Sequence, residues 1–230
     1  MKNLIILYST VIMSLILASG CANNNRADVK EQPEKTTLST INIDSNFIEY
    51  EQESSLYKNA DLIVIANTDV AFKDREHIVK YMETDTTDKA IEDFYTRTPI
   101  NISQVIKKPN EENIIENDKI EVIEPLSVIQ TDEGEQKITR ESYIEMQEQQ
   151  EYMLYLKKNS YGEYSIINMN NGIFQVTKDT EDAISLEQQI EDAGLKIEEH
   201  TIADHEDISD QIDAKYSEEI EEVMEKNLDS

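Results

Sequence analysis

Between Ile41 and Val176 the apolar positions mostly alternate or cluster in short runs; after Val176 they recur at steps of three and four. The first spacing predicts strands and the second predicts helices. Leu62 to Ala66 is a continuous apolar run with β-branched Ile63, Val64 and Ile65, the pattern of a strand buried on both faces. Phe94 to Lys107 alternates: Ile100, Ile102 and Ile106 share one face, Asn101, Ser103 and Lys107 the other. Pro99 must then stand at an edge or bulge, because it offers no N–H to a ladder. Lys119 to Gln130 alternates again through Ile120, Val122, Leu126 and Val128, with Pro125 as a bulge or bend. Glu151 to Lys158, the turn Asn159 to Gly162, and Glu163 to Met169 form the clearest hairpin. Asn170 to Gly172 turns once more before a strand over Ile173 to Val176. Ile41 to Tyr50 predicts a short strand, and Ser54 to Asn59 a helical turn. Lys73 to Asp93 and Thr131 to Gln150 read as polar excursions between strands, the first carrying an apolar patch at Ile78 to Met82.

Ser185-Leu186-Glu187-Gln188 reads as a capping box, and Gly194 closes a short helix over Leu186 to Ala193. A second helix is expected over Ser209 to Asn227. Its apolar stripe is Ile208, Ile212, Tyr216, Ile220, Val223 or Met224, and Leu228. This region is strongly acidic: residues 178 to 230 hold nineteen acidic and four basic residues, a charge of −15.

The N-terminus follows a different pattern. Lys2 precedes an apolar run from Leu4 to Leu17, and Ala18, Ser19 and Gly20 lead into Cys21. A charged start, a short apolar body and a small-residue exit form a secretory signal. A spanning helix needs roughly 20 apolar residues, and this run is at or below that minimum. Leu17-Ala18-Ser19-Gly20-Cys21 resembles the lipobox of bacterial lipoproteins, with Ala18 where Leu is more usual. The resemblance implies cleavage before Cys21 and diacylglycerol on its sulfur, placing the rest of the chain on the outer face of the cell membrane. Each buried acyl CH₂ adds about 0.8 kcal/mol to attachment, so two or three chains hold firmly. Cys21→Ala is expected to abolish acyl labelling and leave unprocessed precursor; unchanged labelling would exclude the anchor. Residues 22 to 40 are polar and predict a disordered tether spanning roughly 25 Å.

Composition narrows the function classes. The formal charge is −28, and Lys107-Lys108 and Lys157-Lys158 are isolated basic pairs. Nucleic-acid binding needs basic patches that release counterions, so no nucleic-acid partner is expected. Cys21 is the only cysteine, which leaves no thiol for a disulfide, a cysteine metal site or thiol catalysis elsewhere.

Three segments resemble strands of the netrin-like module, the family that includes tissue inhibitors of metalloproteinases. They are Ala60 to Ala66, Ile100 to Lys107 and Glu151 to Leu156, and the resemblance covers about residues 60 to 176. It implies a five-stranded, OB-like β-barrel. The unaided pattern, about five strands with long excursions, is compatible with such a closed sheet. The family's inhibitory residues do not transfer: Cys21 would be acylated, stands well before Ala60 and has no disulfide partner.

Candidate chemistry is sparse. His200, Asp204 and His205 are the densest set of potential metal ligands, but helical spacing puts His200 and Asp204 on one face and rotates His205 away. No Gly-x-Ser-x-Gly elbow, EF-hand loop or phosphate-cradling glycine loop is present. Tyr155, Tyr161 and Tyr164 around the hairpin suggest a binding face.

The expectation is a signal peptide over 1–20, a lipidated tether over 21–40, a β-domain over 41–177 and an acidic helical tail over 178–230. The β-domain is a small five-stranded OB-like barrel or strongly curved sheet. The expected role is a membrane-tethered binding module with an envelope protein or cell-wall component as partner and no cofactor. The alternative is an envelope enzyme performing metal-assisted hydrolysis.

Overall fold

The computed structural model describes residues 38–83, 90–177 and 184–228. The signal, Cys21 and most of the tether lie outside these residues.

The fold is a closed five-strand barrel with a long C-terminal helix laid on it. β1 is Thr40–Ile43, α1 Glu53–Asn59, β2 Leu62–Asn67, β3 Glu76–Met82, β4 Ala90–Lys107 and β5 Lys119–Glu124. Then come β6 Leu126–Thr131, β7 Gly134–Arg140, β8 Tyr152–Lys158, β9 Tyr164–Ile166 and β10 Ile173–Gln175. The helices α2, Leu186–Asp192, and α3, Glu199–Leu228, complete the chain. The barrel runs β8-β2-β4-β5-β9 and closes because β9 pairs with β5 in parallel and with β8 in antiparallel fashion. Closure leaves none of these five strands as a free edge.

β2 and β8 are apolar on both faces because both faces are covered. Leu62, Val64, Leu154 and Leu156 point into the barrel with Ile100, Ile102 and Val122. Ile63, Ile65, Met153 and Tyr155 point outward against Ile208, Ile212, Tyr216, Ile220 and Val223 of α3. The predicted stripe of α3 is therefore the face that seals the outside of the barrel as far as Val223 and Met224, while Leu228, its last expected member, is exposed. The helix starts earlier than expected, at Glu199, and departs from helical geometry at Tyr216 (φ −120°, ψ 23°). No helix among the described residues is long and apolar enough to cross a membrane.

At α2 the N-cap and C-terminal glycine hold, while the Gln188 side chain bonds Asp192 at 2.8 Å rather than closing the capping box. The Ser185 hydroxyl accepts a hydrogen bond from Gln188 N at 3.2 Å, and Gly194 takes φ +68° just past the helix. Pro99 falls where β4 changes partner, since β3 pairs it only up to Arg97 and β2 only from Asn101.

The two expected excursions each contain a strand. β3 pairs with the first half of β4, and β7 pairs with β6 and, in parallel, with β1. β3 is largely exposed on one face and β7 is charged at several positions, so neither carries a clean apolar alternation. The single element expected over Lys119 to Gln130 is two strands in two sheets. β5 belongs to the barrel and β6 to a three-stranded sheet ordered β1-β7-β6. Pro125 marks the crossing, and its carbonyl accepts from Arg140 N at 3.1 Å. Ile129 and Ile138 of the small sheet pack on Phe94, joining it to β4.

Candidate functional site

The buried ionisable groups are consumed by internal networks. Arg75 and Glu124 are fully buried and paired at 2.8 Å. Arg75 also donates to Met146 O at 2.7 Å and to Val70 O at 2.9 Å. Glu124 accepts from the Thr98 hydroxyl, from Tyr143 OH at 3.0 Å and from Met146 N at 2.9 Å. Burial lifts the Glu124 carboxyl above the ordinary range, against the pull of Arg75. A second network ties α1, β8 and α3 together. Glu53 accepts from Lys215 at 2.7 and 2.9 Å, from Tyr216 OH at 2.7 Å and from Tyr155 OH at 3.3 Å. Every oxygen here already has a protein donor, so these carboxylates clamp the fold and leave little capacity for a substrate.

The surface offers a cleft of about 530 Å³. Four segments line it: residues 42–50 from the end of β1 onward, Glu141 and Ser142 after β7, Asn168 to Asn171 before β10, and Lys196 to Asp204 across the start of α3. Asparagines hold these segments in register. Asn168 bonds both the N–H and the carbonyl of Tyr50, at 3.0 and 2.9 Å. Asn170 bonds Ser142 O at 3.0 Å and Ile144 N at 2.9 Å. Asn171 donates to Thr201 O at 3.3 Å, and Asn42 accepts from Ser142 N at 2.7 Å. The Ser142 hydroxyl donates to Lys196 O at 2.6 Å, and Glu141 accepts from Ser45 N.

The cleft is also where unusual backbone collects. Among the described residues six non-glycine residues have positive φ, and four of them line the cleft: Glu141 (49°), Ser142 (53°), Asn168 (62°) and Met169 (51°). Such conformations cost on the order of 1–3 kcal/mol each and persist only where surrounding contacts over-determine them. They cluster at functional sites more than elsewhere. The lining is acidic: Asp44, Glu49, Glu141, Glu198 and Asp204 face a single lysine, Lys196.

The residues singled out from the sequence fall in different places. His200 and Asp204 line the cleft, while His205 lines a smaller pocket of about 160 Å³ between α2, α3 and the barrel. The His205 ring stacks on Phe174 at 4.7 Å and 17°, and its Nδ1 meets Asn171 Oδ1 at 3.2 Å. His200 pairs instead with Glu198 at 3.1 Å. No three His, Cys, Asp or Glu side chains converge on a common point among the described residues. The geometry therefore gives the metal-assisted hydrolase no ligand set there. The three tyrosines do not form a face either. Tyr155 is fully buried under α3, and Tyr164 is buried with its hydroxyl on Glu112 at 2.8 Å. Tyr161, 80% exposed at the β8–β9 turn, is the one at the surface. Alternation in β8 and β9 places side chains on two faces, and here both faces are covered.

His205 makes the packing of α3 sensitive to acid. Burial pulls its imidazole from 6.5 down to about 4. The unfolded chain takes up this proton more readily, so the contribution is nil above about pH 6.5. Stability then falls as pH drops towards 4, by about 3 kcal/mol in full. Denaturant titrations of His205→Gln and the parent between pH 7 and 4.5 check this; the parent should show the steeper loss. Equal slopes would exclude His205 as the acid-sensitive group.

The cleft left no local signal in the sequence, because its walls come from segments that are far apart along the chain. The nearest hint is the Asn168-Met169-Asn170-Asn171-Gly172 run, whose first two residues the periodicity assigns to the end of a strand and whose last three it assigns to a turn. No family model, no curated protein and no solved structure matches this chain.

Proposed function

We propose that this chain is a lipoprotein anchored through Cys21 on the outer face of the cell membrane, and that it works by binding an envelope component. The observation that carries the reading is the polar cleft: three buried asparagines brace its walls and four left-handed residues shape it. Preformed concave sites of this size are where ligands bind, and rigidity lowers the entropic loss on association. Binding is favoured over catalysis because the buried titratable groups are held in internal networks while the cleft carboxylates belong to separate segments. The closed barrel supports the likeness to netrin-like modules, whose three resembling segments fall at β2, β4 and β8.

Photo-crosslinking on intact cells tests this. A photoreactive residue at Phe47, in the cleft, is expected to capture an envelope component. One at Tyr161, on the β8–β9 turn, serves as the comparison. Capture from Tyr161 alone would move the site away from the cleft. Capture from neither would remove the binding reading.

A further inference from the structure

Resting on the cleft as the binding site, we infer that its ligand is a saccharide segment that is uncharged or carries amines. The volume, about 530 Å³, suits a small extended molecule. Charge excludes one large class. Five carboxylates against Lys196 repel phosphate, sulfate and carboxylate ligands, and His200 is already paired with Glu198.

The distribution of those acids excludes another class. Asp44 and Glu49 follow β1, Glu141 follows β7, and Glu198 and Asp204 belong to the entry of α3. No three of them converge, so they offer a metal ion no shared set of side-chain ligands. A ligand that meets them has to reach across the cleft and present donors at several separate points.

Hydroxyl groups meet that requirement. A hydroxyl donates to a carboxylate and also accepts from Lys196 Nζ or the Asn46 amide, so it uses both kinds of group in the wall. Neighbouring hydroxyls on a sugar ring match the two oxygens of one planar carboxylate. Phe47 and Tyr50, from the same segment as Asp44 and Glu49, add apolar surface against which a ring's C–H face can lie. Asn168, Asn170 and Asn171 are not counted as ligand groups, since their side chains brace the walls. Their role is to keep the acceptors in place before the ligand arrives.

Calorimetric titration of the full chain in detergent micelles tests the assignment. The probes are a trimer of N-acetylglucosamine, its de-acetylated counterpart, maltotriose and a sulfated disaccharide, with spermidine and calcium chloride as controls. At least one of the three unsulfated trisaccharides should bind, and the sulfated sugar should not. Asp204→Asn preserves side-chain shape and should weaken binding about tenfold, as expected for loss of a charge-assisted hydrogen bond. Phe47→Ala should weaken it further, and Tyr161→Ala should leave it unchanged. Circular dichroism of each variant verifies that the fold is intact. Failure of all trisaccharides, binding that both cleft variants leave untouched, or binding of spermidine or calcium alone would overturn the saccharide. Capture of a protein from Phe47 on cells, with no sugar bound, would also overturn it while leaving the binding-module reading in place.

Discussion

Arg75→Met is expected to lower the free energy of unfolding by about 3–5 kcal/mol, because it strands Glu124 in a fully buried site. Thr98, Tyr143 and Met146 N would still donate to the carboxylate, but no cation would remain to offset its desolvation. The Arg75 contacts to Met146 O and Val70 O would be lost as well, loosening the segments that follow β2 and precede β8. The pH dependence gives a sharper signature. Burial already raises the Glu124 carboxyl, so in the variant it escapes its penalty by taking a proton. A carboxyl whose folded pKa is raised contributes stability below its unfolded value and loses it as pH rises. The gap between variant and parent should therefore narrow as pH falls from 8 towards 5. The double replacement Arg75→Met, Glu124→Leu should cost less than the sum of the two single changes, with a coupling of roughly 0.5–3 kcal/mol. Urea denaturation of the four proteins measures all of this. Additive losses with a constant gap across pH would show that the pair is not the clamp described here.

Ending the chain after Thr177 is expected to abolish cooperative unfolding. Removing α2 and α3 bares Ile63, Ile65, Met153, Tyr155 and Phe174, all less than 2% exposed in the intact fold. It also removes Ile208, Ile212, Tyr216, Ile220 and Val223 from their sites on the barrel. Fully burying an apolar side chain contributes about 1.5–3 kcal/mol, so losing this interface removes on the order of 10 kcal/mol. A whole domain of this size is stable by about 5–15 kcal/mol. Glu53 would lose Lys215 and Tyr216 at the same time, keeping Tyr155 OH as its remaining side-chain donor. The fragment should bind a hydrophobic dye and melt without a sharp transition. Ile212→Ala in the full chain is the milder companion, expected to cost about 2–5 kcal/mol while keeping a cooperative transition. A sharp melt of the fragment near the parent temperature would show that the helix is an appendage rather than part of the core.

That outcome bears on how far the sequence could be read. The apolar run at Leu62 to Ala66 and the stripe at Ile208, Ile212, Tyr216, Ile220 and Val223 were each legible locally. Both report only that a face is apolar. That the two faces meet each other is a long-range fact which no window of the sequence contains. The same limit explains β3 and β7. A strand with a solvated face and charged positions leaves only a faint alternation, and its pairing is fixed by the neighbour it finds. Pro125 was legible as an irregularity, but its effect, moving the chain from the barrel into a second sheet, depends on Arg140 and β7 arriving beside it.

By itself the sequence determined the strand and helix periodicities, the caps of α2, the β8–β9 hairpin, the apolar face of α3 and the acidic balance, because each of these is a property of neighbouring residues. Closure of the barrel through β9, the pairing of Arg75 with Glu124, the burial of Tyr155 and the assembly of the cleft were decided by the tertiary structure. Each of those joins residues tens of positions apart, and only chain packing, which buries apolar faces and satisfies polar groups together, selects which of them meet.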